Sequence, residues 1–292
     1  MKIGVVGQPG AASTERLAAA LRTQGAQTTV VDLAACAVTL PDGTVHHRGR
    51  PLGDLDGAVV KKIGDTAGGP AVRERINVLR RLEHGGVPVL SAPDRLDAAV
   101  NRYRMTVELA AASLPIPETV VTEDLETAMA AVERFGVAVV KPLYTSKGRG
   151  MERLVPSPRL REELLATGAP YYLQRFVPHP GRDLGVAVLD GRVLGAYWRV
   201  APTGQWMTTT TAGGRYQRAE PPPEALELAV RAARAFGLIF TGVDLVEQPD
   251  GGFAIFEVSA FGGFRGLLEA CGVDAAPLFA RAALDRFHTV PA

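Results

Sequence analysis

Thr241–Gly266 reads TGVDLVEQPDGGFAIFEVSAFGGFRG, and the way this stretch folds back on itself decides the architecture. Asp250-Gly251 lies between two apolar runs, one of the strongest short-range signals for a two-residue hairpin turn. With Pro249 opposite Gly252, the register carried outward sets Asp244 opposite Glu257. Period-two alternation then sends Val243, Leu245, Ala254, Phe256 and Val258 to one face, and Gly242, Asp244, Glu257 and Ser259 to the other. Directly opposed side chains lie about 5 Å apart at Cβ, where two like charges repel and destabilise a sheet. A hard divalent cation reverses that sign. Two carboxylates and a neutral oxygen, completed by phosphate oxygens, are a usual setting for Mg²⁺ in nucleotide enzymes. The alternative is a solvated hairpin with incidental acids.

Composition bounds the rest. The 292 residues are 47% hydrophobic, enough to bury substantial cores in two or three small domains. Lys and Arg number 32 against 31 Asp and Glu, so no overall field draws the chain to nucleic acid or an anionic membrane, and a small-molecule or peptide partner is expected. Cys36 and Cys271 are the only cysteines and neither belongs to a CxxC pair, which argues against a disulfide framework or structural zinc and fits a reducing cytosol. The N-terminal MKIGVVGQPG lacks a signal-length apolar run, so the mature chain is expected to start at Met1. No stretch reaches the roughly 18 apolar residues of a membrane span.

Strands at 2–6 and Thr28–Leu33 flank a helix at Ser13–Gln24, a β-α-β opening. Further strands at Gly57–Lys61 and Pro88–Ser91, with a helix at Ala71–Glu83, make residues 1–92 one parallel α/β layer. A helix over Leu96–Ala112 is broken by Leu114-Pro115-Ile116-Pro117. Strands at Thr119–Thr122, Val137–Pro142 and Tyr171–Val177 with a helix at Leu125–Arg134 form a small α+β lobe. Residues 93–177 are its expected bounds, and 178–292 those of a C-terminal lobe. In the latter, strands Leu184–Asp190 and Val193–Val200 surround a second Asp-Gly turn, and a helix at Pro223–Phe236 leads into the acidic hairpin.

Val139-Val140-Lys141-Pro142-Leu143-Tyr144-Thr145-Ser146-Lys147-Gly148-Arg149-Gly150-Met151 is a strand ending in lysine, then a glycine-punctuated basic loop. Glycines let backbone N–H groups close around phosphate oxygens, and the cations neutralise their charge. A plain surface turn is the competing reading. The segment is not a Walker A loop, since GxxxxGK[ST] is absent. In order along the chain follow the strand near Gln174-Arg175-Phe176-Val177 and the carboxylate hairpin ending Glu257-Val258-Ser259. This order resembles the ATP-grasp superfamily and, within it, the RimK-like carboxylate–amine ligases. KPLYTSKGRGM, HPGRDLGV, Trp206–Tyr216 and EVSAFGGFRGL bring it closer to the ATP-grasp proteins of the GAK gene system. The resemblance covers essentially the whole chain and implies an ATP-grasp fold preceded by a parallel α/β pre-ATP-grasp domain.

The resemblance also implies roles. Lys141 would meet the α-phosphate and adenine side of ATP, and Thr145–Met151, with Ser146, Lys147, Gly148 and Gly150, would cover the β and γ phosphates. Gln174–Val177, including Phe176 and Val177, would read adenine from the inter-lobe strand, with Asp183 nearby. Asp244 and Glu257 would hold Mg²⁺, or Mn²⁺ in its place, and Ser259 stands where such ligases usually carry a metal-binding asparagine. Arg102 replaces a second phosphate-binding lysine, keeping the charge with another geometry. Arg199 would stabilise the transferred phosphoryl group and the acyl phosphate. Gly262–Gly266 would lay backbone N–H groups and the Arg265 guanidinium beside the acyl phosphate, with shaping the entry to a helix at Leu267–Cys271 as the alternative. Met207 departs from the Asn common in GAK-type proteins, and Gly185 from an arginine of glutamate-adding relatives. The implied reaction is ATP- and Mg²⁺-dependent, ADP-forming joining of a carboxylate to an amine of an amino acid or peptide. Dimers or tetramers are common among such enzymes.

Two other functions compete. Ser259, Met207 and Arg102 suggest a nucleotide-binding scaffold without turnover. Gly4-Val5-Val6-Gly7-Gln8-Pro9-Gly10 with Asp32 suggests a nicotinamide-cofactor oxidoreductase, although the spacing is GxxGxxG rather than GxGxxG. Lys61-Lys62 and Arg80-Arg81 read as solvated ends and faces, with contact to an anionic substrate as the alternative. Trp198 and Trp206 read as packing or substrate-wall residues, and His46-His47 as an exposed loop.

Overall fold

The structure, a computed structural model, describes residues 1–65 and 69–289. The chain opens with β1 (Lys2–Val6), α1 (Ala12–Thr23) and β2 (Gln27–Val31), then a short meander of β3 (Cys36–Thr39), β4 (Thr44–His47) and β5 (Arg50–Pro51). β6 (Gly57–Val60), α2 (Gly69–His84) and β7 (Val89–Leu90) complete the first layer. Its parallel sheet has the order β2-β1-β6-β7. A parallel sheet is covered on both faces, which the near-continuous apolar runs of β1 and β6 supply. Ile3 and Val5 pack with Leu17 and Leu21 of α1, whereas Val6 and Val60 pack with Val72, Ile76 and Leu79 of α2. The sequence reading put His46-His47 in an exposed loop. They lie instead in β4, because α2 covers the meander, and buried His47 accepts at Nε2 from the Asp32 backbone N–H.

The single helix expected over Leu96–Ala112 is two: α3 (Pro93–Val100) and α4 (Arg102–Ala111). Asn101 leaves the helical region (φ −92, ψ 110) and its side chain accepts from the Arg104 N–H at 3.1 Å, the conformation and contact of an N-cap. Its amide also donates to the Tyr144 hydroxyl at 2.7 Å. The break turns Arg102 inward: it is 5% exposed, and its backbone N–H bonds Leu143 O at 3.0 Å.

β8 (Thr119–Thr122), α5 (Leu125–Phe135), β9 (Ala138–Val140), β10 (Glu152–Leu154), α6 (Leu160–Thr167) and β11 (Tyr171–Arg175) form the central lobe. Its antiparallel sheet runs β10-β9-β11-β8 around a core of its own that includes Ala128, Val132, Leu164 and Leu173. The third sheet consists of β12 (Arg182–Leu189), β13 (Arg192–Val200), β14 (Arg215–Arg218), β15 (Phe240–Glu247) and β16 (Phe253–Ser259), ordered β14-β13-β12-β15-β16 and antiparallel throughout. α7 (Pro223–Phe236) buries Ala225, Leu228, Ala232 and Phe236 on one side of this sheet. On the other stand α8 (Arg265–Cys271) and α9 (Ala275–Thr289), and α9 reaches back to pack Phe279, Ala283 and Phe287 with Ile3 and Val5.

The acidic hairpin reaches its expected juxtaposition by a different path. Gln248 N–H donates to Gly252 O at 3.1 Å and Gly251 N–H to Gln248 O at 3.0 Å, so the loop spans three residues, with Gly251 and Gly252 at φ 89 and 80. The strands leave it paired Val246↔Ala254 and Leu245↔Ile255, and a bulge after Asp244 resets them to Asp244↔Glu257 and Val243↔Val258. The one-residue slip moves Ala254 and Phe256 off the face predicted for them. They cluster with Val177 and Val246, while Ile255 joins Leu245 and Val258 in the core. Asn101→Ala is expected to lower stability by about 1 kcal/mol through loss of the α4 cap, measured as a lower urea midpoint with an unchanged slope.

Candidate active site

A cavity of about 710 Å³ lies where the central lobe, the five-stranded sheet and the edge of the first layer meet. One row of side chains runs across its floor. Tyr197 pairs with Gly185, Gly185 with Asp244, and Asp244 with Glu257, so adjacent strands set aromatic, glycine, acid and acid in line. Asp183 and Arg199, also paired across strands, stand two residues along from Gly185 and Tyr197 on the same face. Arg199 binds the Asp183 carboxylate and lies 2.8 Å from Asp244. Arg102 reaches Glu257 at 3.7 Å, the Thr145 carbonyl at 3.3 Å and the Pro142 carbonyl.

This packing shifts protonation. Burial pushes the Asp244 carboxyl up to about 7, against the pull of Arg199 and with help from Asp183 and Glu257. Burial works against the Arg199 charge, but Asp183 and Asp244 outweigh it and hold the guanidinium well above its ordinary range. Lys141 follows β9 and is 7% exposed. Its Nζ donates to Gln174 Oε1 at 2.6 Å, under the Phe256 ring at 5.3 Å. Burial, then Arg102, drive its amine down to about 7, with Glu257 and Asp244 opposing. Gln174 is 3% exposed and turns its amide to Thr119 and Tyr172, so its oxygen is committed to Lys141.

Lys141, Gln174, Phe176, Val177, Asp183, Arg199, Arg102, Asp244, Glu257, Ser259, Ser146, Lys147, Gly148 and Arg265 all line this cavity. Gly150 does not. It stands at φ 67, where a Cβ would meet Pro142 at 2.9 Å, so it shapes the loop from behind. The Ser259 hydroxyl donates to Phe261 O at 3.1 Å and is turned toward its own backbone. Arg265 is largely exposed and pairs with Glu269 at 2.5 Å. Asp32 accepts from Ala34 N–H at 3.1 Å, and the cavity touches the first βα turn at Ala11–Ser13 rather than at Gly7–Gly10.

Sequence reasoning missed several wall residues. Alternation predicts Phe256 in the core, and the bulge brings it beside Lys141. Lys61 was assigned to solvent and is 2% exposed, with Nζ on Gly262 O at 2.6 Å. Its signal was present, since Lys61 ends Gly57–Val60 as Lys141 ends Ala138–Val140. Arg80 is likewise paired, with Asp94 at 2.7 Å and Asp97 at 2.8 Å, and Arg81 bonds Gly43 O at 2.7 Å. Tyr197 is held flat: a Cβ on Gly185 would lie 2.6 Å from its ring, and one on Gly266 2.5 Å away. His179, beyond β11, stacks near Phe176 at 5.8 Å, and Trp206 meets Phe176 edge-on at 6.1 Å.

A lobe with a buried lysine and a glycine-punctuated loop, set over a sheet bearing paired acids, defines a protein of the ATP-grasp class. Residues 99–282 match the RimK-like ATP-grasp domain and residues 1–96 the RimK pre-ATP-grasp domain. The chain therefore belongs to the RimK-like ATP-grasp family, and it is an ATP-dependent carbon–nitrogen ligase. The tetrahydromethanopterin:alpha-L-glutamate ligase of Methanosarcina acetivorans is 32% identical over 255 residues, 77% of this chain and 78% of that protein. A probable alpha-L-glutamate ligase of Xanthomonas campestris pv. campestris is 31% identical over 272 residues, 90% of this chain and 91% of its own. The ATP-grasp ligase PsnB, in a structure with a phosphomimetic variant of its minimal precursor, Mg and ADP, superposes with a TM-score of 0.75 at 24% identity, covering 98% of each chain.

The Tyr197 clamp is testable alone. Gly185→Ala is expected to cost about 1–3 kcal/mol by overpacking, and to cost much less in a Tyr197→Ala background, where the ring that the new methyl would meet is gone. A double-mutant cycle in urea reads the coupling; independent, additive effects contradict the clamp.

Proposed function

We propose that the cavity binds ATP with Mg²⁺ and joins a substrate carboxylate to an amine through an acyl phosphate. The observation that supports this best is that buried Lys141 and the Asp244–Glu257 pair, carried by different lobes, face one cavity. In the first step a carboxylate oxygen takes the γ-phosphoryl group and ADP leaves. In the second the amine nitrogen bonds the acyl carbon, phosphate departs with the acyl oxygen, and the amine proton passes to phosphate or solvent. Such transfers need positioning and charge neutralisation more than covalent help.

The residues fit the metal. Asp244 is forced toward protonation by its surroundings, the condition a divalent cation relieves, and Glu257 opposes it on the next strand. Among the described residues no group of three or more His, Cys, Asp or Glu side chains forms a closed site. Mg²⁺ bound by one or two carboxylates plus substrate phosphates matches that set, and it would neutralise phosphate charge. With Ser259 turned to backbone, the protein ligands are the two carboxylates. Lys141 and Arg102 would take the inner phosphates, and Ser146, Lys147 and Gly148 the outer ones. Val139, Phe176, Val177 and Phe256 form an apolar slot for adenine. Arg199, fixed by Asp183 against Asp244, would meet the transferred group.

The experiment is ATP-dependent hydroxamate formation, in which hydroxylamine captures the activated acyl group from pooled amino acids, dicarboxylates and short peptides. Glu257→Gln should lower ADP and hydroxamate formation at least a hundredfold while leaving the circular dichroism spectrum and melting temperature close to wild type. Turnover at the wild-type rate in that variant rules the site out. ATP binding by the wild type without turnover, across the pool, would favour a scaffold.

A further inference from the structure

Most cations on the cavity wall already have an acid. Arg199 is matched by Asp183 and Asp244, Arg102 by Glu257, Arg175 by Glu118 at 2.7 Å, Arg265 by Glu269 and Arg16 by Asp274 at 2.9 Å. The wall's carboxylates, Asp183, Asp244 and Glu257, all stand on the five-stranded sheet. Among the described residues Lys61 has no such partner. It extends from the end of β6, is 2% exposed, and spends one N–H on Gly262 O while its ammonium sits 4.5 Å from the Phe264 ring centroid. Neither Lys61 nor adjacent Lys62, which lines the same cavity, forms an ion pair among the described residues. Lys141 and Lys147 also form no ion pair among the described residues, but they stand at the phosphate end.

Burying an ammonium without a counter-charge is costly, and buried charges in proteins are paired or hydrogen-bonded. Two adjacent lysines without an acid among the described residues, facing a cavity whose described acids all lie on another wall, leave a place for an anion brought by a ligand. On the sheet, Gly185 has no side chain and the Tyr197 ring covers it, while Arg199 is already matched by Asp183 and Asp244. Burial, with Lys62 adding to it, pushes the Lys61 amine down to about 7.

We propose that Lys61, supported by Lys62, anchors the free carboxylate of the amine substrate, so that the acceptor is an α-amino acid rather than an uncharged or carboxylate-free amine. The inference rests on the ligase reading. It assigns the edge of the first layer to acceptor recognition, next to the Gly262–Arg265 loop that Lys61 holds through Gly262.

The test is calorimetric titration of the whole protein, saturated with MgADP, with each of the twenty L-amino acids, their carboxamides, and succinate and glutarate. At least one amino acid is expected to bind tenfold or more tightly than its carboxamide. Lys61→Met should reduce that affinity at least tenfold and Lys62→Met severalfold, with MgATP affinity within twofold of wild type as the control for folding. Lys61→Arg should recover part of the loss, which a purely structural role for Lys61 would not explain. Equal binding of acid and amide, full affinity in folded Lys61→Met, or no amino-acid binding to a protein that binds MgATP overturns the proposal and leaves the ligase reading standing. Binding of the dicarboxylates alone moves the anchor to the acyl donor and overturns the acceptor assignment. Failure to bind MgATP overturns the ligase reading, and this inference with it.

Discussion

The cavity floor is governed by the balance of three carboxylates, Asp183, Asp244 and Glu257, against two guanidinium groups, Arg199 and Arg102. In bulk water such pairs are worth little, but at this depth an acid without a partner carries a desolvation cost of several kcal/mol. Arg199 bridges two acids and leaves Asp244 poised near neutrality. Arg102 is spread over Glu257 and two carbonyls. The arrangement draws Asp244 toward protonation, a condition suited to a ligand that brings a cation together with its own negative groups.

Two local irregularities aim the side chains that matter. The bulge after Asp244 restores the acid pair after the three-residue turn and rotates Phe256 out of the core to lie over Lys141. Asn101 stops α3, caps α4, and by doing so buries Arg102 beside the loop that begins at Pro142. Each sacrifices regular hydrogen bonding for direction, as is common for bulges and breaks beside functional sites.

These two places also mark the limit of what the chain discloses before folding. Strands bounded by turn residues, such as Lys2–Val6, Thr119–Thr122 and the arms of the acidic hairpin, are legible because local period and punctuation agree. The family, the sheet classes and the charged residues around the cleft follow from ordered motifs. The bulge was not legible, because sliding one residue of β16 leaves its composition apolar and alternating; only the three-dimensional loop decides it. The Asn101 break was hidden by helical periodicity on both sides. Lys61 was misplaced since a lysine at a strand end is usually wet, and what dries it is the Gly262–Phe264 loop, two hundred residues away in sequence.

The same contacts say which part of the molecule can move. The first layer and the five-stranded sheet share two apolar cores: Val60 and Ile76 lie in one with Leu184 and Phe236, while Val5 and Leu21 lie in the other with Tyr197, Phe279 and Phe287. Separating them would expose both. The central lobe has its own core and meets the rest through a smaller apolar patch, Val177 with Val246, Ala254 and Phe256, and through polar contacts: Arg149 with Asp65 at 2.9 Å, Thr106 with Tyr172 at 2.7 Å, and Thr211 with Lys147 O at 2.7 Å. Water replaces polar contacts at small cost, whereas an opened apolar core loses roughly 25 cal/mol per Å². Cleft opening is therefore expected of the central lobe, with Leu114–Pro117 and the segment after β11 as its hinges and Lys141 and the glycine loop riding on it. Hydrogen exchange should show MgATP protecting 143–151 and β9 while β1 and β6 keep their rates; protection spread equally over β1 and β6 would place the hinge elsewhere.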